Sequence, residues 1–227
     1  MNSEFREAIA SFTEQMRGIT SLFKDMAPGL ERFEKNLKPM EEKLIASGWT
    51  IVMEMTPYHI NEISELIEIK DIDDYFYEYY IDNNRENLKY LQRTCISYLD
   101  VKLVNAYQES LFAFENKKYI ICANTLIPII EGTLSSFDHT SNNMQKICAN
   151  QLEECSNKDD SINRIRWNTN AMFIEKLTAH SLFSEEEPLF INRHWLMHGR
   201  SAYDITEMDC LRLLNMIGTL CNITRKL

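Results

Sequence analysis

Tyr119-Ile120-Ile121-Cys122-Ala123-Asn124-Thr125-Leu126-Ile127-Pro128-Ile129-Ile130-Glu131-Gly132-Thr133-Leu134 is apolar almost all round. A helix with no polar face is a buried helix, because a surface helix keeps one side for water. The stretch, continued to Phe137, therefore predicts an interior helix with others packed about it. Pro128 is placed to kink it. Glu131 is the exception in the run, since a carboxylate among isoleucines needs a partner or stays protonated. Two readings of Glu131 stay open. One is a hydrogen bond between helices; the other is a place in a functional site, where buried acids collect.

Outward from this helix the periodicity remains helical. Leu88, Leu91, Ile96, Leu99, Leu103 and Leu111 predict a long helix over 84–114, ended at Asn116-Lys117-Lys118. Ile60, Ile63, Leu66 and Ile67 predict a shorter one over 58–69. Residues 50–56, partly β-branched and followed by Pro57, read as an extended connector or a lone strand. Residues 71–82 are acidic and aromatic, with Tyr75, Phe76, Tyr77, Tyr79 and Tyr80. Such rings can stack nucleic-acid bases. The neighbouring acids would repel phosphate, so core packing is the preferred reading.

On the other side, residues 138–160 are polar and read as an inserted loop or hairpin with a short helical stretch over 144–152. An amphipathic helix follows over 162–180. Ser184-Glu185-Glu186-Glu187-Pro188 has the composition of a helix start, with a serine cap and acids in the first turn. That helix is expected to run to His198 and end at Gly199. Thr206-x-x-Asp209 offers a capping box for a last helix over 211–223. Glycine (6) and proline (5) are sparse, which suits long helices better than many short strands. The expected fold class is all-α.

The N-terminus carries its own repeat. Phe5, Ile9, Phe12, Met16, Ile19, Phe23, Met26, Leu30, Phe33, Leu37, Met40 and Leu44 alternate in steps of four and three, a heptad pattern. Pro28-Gly29 and Pro39 interrupt it, predicting separate helical pieces that share one seam. The seam could face another copy or the chain's own core. Ser47-Gly48-Trp49 closes the segment, so residues 1–46 are read as a helical extension and 47–227 as the main bundle.

Composition narrows the function classes. The net charge of −10 argues against a general nucleic-acid coat protein. The acidity is uneven, however: residues 188–227 hold five Lys/Arg against three acids. Six cysteines at 95, 122, 148, 155, 210 and 221 form no C-x-x-C and match no zinc spacing. With no signal-peptide pattern and no run of 18 apolar residues, a reduced, cytoplasmic protein without a membrane span is expected.

The densest chemistry lies at Asn192-Arg193-His194-Trp195-Leu196-Met197-His198-Gly199. Two of the chain's five histidines stand here, four residues apart and beside an arginine. Histidine changes charge near neutral pH, whereas arginine stays charged. On a helix, Arg193, His194, Met197 and His198 fall on one side, with Trp195 and Leu196 behind as an apolar anchor. Two histidines at i, i+4 can also bind zinc. There is no H-E-x-x-H and no evident third ligand, and Arg193 would repel a cation. No metal and no cofactor are therefore expected.

Arg193-His194-x-x-x-His198 resembles the R-[polar]-x(3–5)-H signature of the HEPN superfamily. The wider string resembles the N-R-H-x-x-x-H-G version found in abortive-infection and phage-defence-related bacterial proteins. The helix ending in Glu131-Gly132 and the pair Gly48-Trp49 resemble further parts of that subgroup, over about residues 47–225. The resemblance implies an all-α HEPN-type bundle, a homodimer and a metal-independent endoribonuclease. It makes Arg193 and His198 the catalytic pair, with His194 orienting or supporting them. Asn192 and Glu131 are candidate supporting residues, and Arg200 and Tyr203 candidate RNA contacts. RNA cleavage would proceed by attack of the 2′-OH on the adjacent phosphate, leaving a 2′,3′-cyclic phosphate. A toxin or phage-defence effector, with an antitoxin or regulatory protein as a further partner, is the corresponding expectation. The competing reading is a non-catalytic helical dimerisation or interaction module, which the acidic surface and the heptads favour.

Overall fold

The last helix and the helix that begins at Tyr119 form the centre about which the others pack. In the computed structural model, which describes residues 29, 31–52, 54–141, 143–157, 161–182 and 184–224, every regular element is an α-helix. In chain order these are α1 (31–47), α2 (Pro57–Glu65), α3 (Ile69–Tyr98), α4 (Val101–Glu115), α5 (Tyr119–Ser135), α6 (Met144–Asn157), α7 (Ser161–Leu177), α8 (Arg193–Met197) and α9 (Glu207–Thr224). Helix α9 is buried along almost its whole length, from Asp209 to Ile223, and packs against α3, α5 and α7.

Helix α5, the stretch expected to be interior, buries Cys122, Ala123, Leu126, Ile127, Ile129, Ile130 and Leu134. It is not buried all round: Ile120 and Ile121 are exposed, and Pro128 lies on the solvent side. The more enclosed helix is α9, although Asn215, Thr219 and Asn222 interrupt its apolar sequence. Burial of Asn215 is compensated by the extended segment after α1 and by α3. Asn215 accepts from the Thr50 amide (3.1 Å) and donates to the Thr50 carbonyl (3.3 Å) and the Tyr80 hydroxyl (2.7 Å). Residues 50–52 thus run extended along α9, as the β-branched composition predicts. No strand forms among the described residues, because this segment's backbone is paired by side chains instead: Arg166 Nε also donates to the Ile51 carbonyl (3.2 Å).

Four expected elements differ. The helix predicted over 84–114 is two helices, broken at Leu99-Asp100, where Asp100 accepts from the Lys102 amide (2.9 Å) and caps α4. Helix α3 instead begins at Ile69 and takes in the acidic aromatic stretch, with non-helical backbone at Asp82–Arg85. Its rings face inward: Phe76 and Tyr80 are buried, and Trp49 stacks on Phe76 with centroids 4.3 Å apart. Residues 144–157 form a full helix that packs on α7 through Ile147 and Cys148, rather than a mainly irregular insertion. Pro39 does not divide α1; Met40 and Leu44 are fully buried, and that burial offsets the hydrogen bond a proline removes.

The fourth difference bears on the site. Residues 184–192 are not helical, and only Arg193–Met197 form a helix in this region. The carboxylate of Glu187 does not remain in a first helical turn. It accepts from the Ser201 hydroxyl (2.5 Å) and the Ala202 amide (2.7 Å), tying the loop before α8 to the loop after it.

Phe33, Leu37, Met40 and Leu44, the described part of the heptad repeat, pack into the same hydrophobic core as α5 and α9. One core thus includes residues on both sides of the boundary drawn at 46. The earlier heptad positions, from Phe5 to Leu30, lie outside the described residues. None of the six cysteines is in a disulfide. No described helix is long and apolar enough to cross a membrane.

Candidate active site

Helix α8 is only five residues long, so its ends do most to hold it. At its start the Asn192 side chain accepts from the Trp195 amide (3.2 Å), and its amide nitrogen donates to the Ala179 carbonyl (2.8 Å). Asn192 is buried, and its role is to cap α8 and dock it on the chain just after α7. At the other end Gly199 sits at φ +64°, a left-handed conformation that costs glycine little. The Gly199 amide donates to the Leu196 carbonyl (3.1 Å) and the Arg200 amide to the Trp195 carbonyl (3.0 Å), the paired bonds of a Schellman stop. Trp195 is buried and donates to the Ser181 hydroxyl (2.7 Å), while Leu196 packs on the core. The apolar anchor predicted behind the basic residues is present.

In front of that anchor, Arg193 Nε donates to Glu131 Oε1 in an ion pair between α8 and α5. Glu131, expected among isoleucines, is instead only partly buried on the side of α5, and Arg193 is its ion-pair partner there. Its position inside α5 brings a carboxylate to the arginine from 62 residues away in the chain. One guanidinium edge is held by this pair, which orients the fork of the side chain. A cavity of about 320 Å³ opens beside it, lined by Glu131, Asn143, Met144, Gln145, Thr178 and Arg193. Glu131 and Met144 also wall a second cavity of about 370 Å³ along α5 and α6.

The His194 and His198 rings meet edge to face, with centroids 4.7 Å apart. A third ring joins them: His180, just beyond the end of α7, lies 5.3 Å from His194. Nothing in the sequence singles out His180, which stands 14 residues before His194 and closes an ordinary amphipathic stretch. The hydrogen bond from Asn192 to Ala179 is what brings it in. The pKa of His194 is lowered from its usual 6.5, first by desolvation and then by repulsion from His198, His180 and Arg193. His194 is thus mostly neutral at pH 7 and able to accept a proton.

Arg200 is exposed one residue beyond Gly199. The Tyr203 hydroxyl donates to the Asp209 carboxylate (3.2 Å), at the start of α9. Burial first, then the Asp209 charge, pushes the Tyr203 pKa up to about 12. Asp209 also accepts from the Thr206 amide (2.9 Å), while the Asp209 amide donates back to the Thr206 hydroxyl (3.3 Å), the predicted capping box. The structure gives Tyr203 a bracing role between this cap and the Glu187 loop, and its amide donates to Glu187 (3.4 Å). Among the described residues no three His, Cys, Asp or Glu side chains are grouped to hold a metal ion.

Compared with protein-family models, with curated proteins and with solved structures, the chain matches none.

Proposed function

We propose that the chain is a metal-independent endoribonuclease of HEPN type, working on RNA in a toxin or phage-defence role. The observation that carries this reading is that Arg193, oriented by Glu131 at the wall of an open polar cavity, acts electrostatically on His194, whose ring stands between those of His198 and His180. Little packing value attaches to such a group of half-exposed titratable side chains, and their clustering is what phosphoryl chemistry uses.

The roles follow from charge. Neutral His194 accepts the proton of the RNA 2′-OH as its oxygen forms a bond to the adjacent phosphorus. The bond from phosphorus to the 5′-oxygen breaks, and His198 in its protonated form delivers a proton to that leaving oxygen. The products are a 2′,3′-cyclic phosphate and a free 5′-hydroxyl. Arg193 offers its remaining N–H groups to the phosphate oxygens as charge builds in the transition state. Each proton transfer is worth roughly 10²–10⁴-fold in rate. His198 is more exposed than His194, which suits a group that must recover its proton from water between turnovers.

The test is incubation of the purified protein with mixed RNA in EDTA. Cleavage with 2′,3′-cyclic phosphate ends, abolished in His198→Ala and Arg193→Ala, is the expected result. A folded wild-type protein that cuts no RNA, or one that cuts only with added zinc or magnesium, would overturn the reading. Absence of cleavage of any RNA would leave the helical interaction module as the better account.

A further inference from the structure

We propose that His180 is a positioning residue of this site, acting through His194 to keep that ring a proton acceptor. The inference rests on the nuclease reading for its catalytic consequence but not for the coupling itself. His180 lies outside the Arg-His-His string. His180 comes from the loop after α7, is exposed, and brings its ring beside His194 from a second element, with centroids 5.3 Å apart and planes tilted by 32°. His194 thereby has two imidazole neighbours, His198 from its own helix and His180 from the loop.

The groups facing His194 can be named. From α8 and its cap they are Arg193 and His198; from the loop after α7 it is His180. Glu131 of α5 pairs with Arg193, the cationic member of this group. Three neighbouring imidazoles cannot all take protons at little cost, because each added charge repels the next. A proton resting on either neighbour therefore disfavours one on His194. Docking of Ala179 by Asn192 fixes the backbone next to His180, so the third ring is held near its neighbour.

The sign of the effect is definite. If His194 must be neutral to take the 2′-OH proton, activity falls as pH drops through its pKa. Removing the His180 charge lets the His194 pKa rise, and the acidic limb of the pH–rate profile moves to higher pH. A permanent positive charge at 180 lowers it further, and the limb moves to lower pH. A ring that only packed would not give shifts of opposite sign.

Two readouts separate the possible failures. NMR titration of the histidine rings in the wild type, His180→Phe and His180→Lys is expected to show the His194 midpoint rising in the first variant and falling in the second. An unmoved His194 midpoint in both would overturn the proposal whether or not RNA is cut. The acidic limb of the pH–rate profile of RNA cleavage is expected to move in the same directions. NMR shifts without cleavage by the wild type would uphold the coupling and count against the nuclease reading alone. NMR shifts with an unmoved cleavage profile would overturn the catalytic part of the proposal.

Discussion

Arg193 and Glu131 form a half-exposed pair, with 42% and 33% of the side chains accessible. Such a pair adds little to stability, on the order of 1 kcal/mol or less. Its value lies in aim, because holding Nε directs the rest of the guanidinium. Glu131→Gln should leave the urea midpoint nearly unchanged while lowering kcat for RNA about tenfold, since misplacing a catalytic group costs rate steeply. Equal loss of stability and activity would show that the pair is merely structural. Arg193→Lys keeps the charge and loses the fork, so single-turnover cleavage should fall about 100-fold, approaching Arg193→Ala. Of the site, Asn192, Arg193, His194 and His198 are legible in sequence because they are adjacent. Glu131 is legible only as an anomaly in an apolar helix. His180 leaves no signal, since nothing local marks which loop histidine will meet another.

Between residues and the whole stand the short elements. A five-residue helix cannot hold itself, because nucleating a turn costs more than one hydrogen bond returns. Asn192→Ala removes the cap and takes the donor from the Ala179 carbonyl, and should cost about 1–2 kcal/mol in urea unfolding. Asn192→Asp keeps the cap acceptor but loses the donor to Ala179, so its stability should fall between wild type and Asn192→Ala. If it matches Asn192→Ala in full, the docking bond matters more than the cap. At Gly199 nothing lies within 4 Å of where a Cβ would stand, so Gly199→Ala tests backbone strain alone. It should cost about 1 kcal/mol and loosen His198, visible as a weaker cleavage rate. The helix start expected at Ser184 fails because its acid is drawn elsewhere. Serine and acids favour a first turn, but Glu187 finds better donors at Ser201 and Ala202.

Across the whole molecule two helices share the centre: α9 packs against α3, α5 and α7, and α5 carries α4, α6 and α8. Gly218 lets α3 approach it, for a Cβ there would run into the Leu91 side chain. Gly218→Ala should destabilise by about 1–3 kcal/mol through overpacking. Combining it with Leu91→Ala should recover part of the loss, a non-additivity read by a double-mutant cycle in urea. Additive losses would mean the two side chains do not compete for that space. The Arg212 guanidinium joins this frame to the start of the bundle, binding both oxygens of Asp73 at 2.7 Å while Trp49 Nε1 donates to the same carboxylate at 2.8 Å. The helical class, the capping box at Thr206, the stop at Gly199 and the anchor at Trp195 were determined by sequence alone, because each depends on periodicity or on neighbours within a turn. Which helix would be innermost, where the long helix after 84 would break, and which distant Glu and His would join Arg193 were decided by tertiary structure. Those outcomes depend on partners far apart in the chain, and only packing brings such partners within reach of one another.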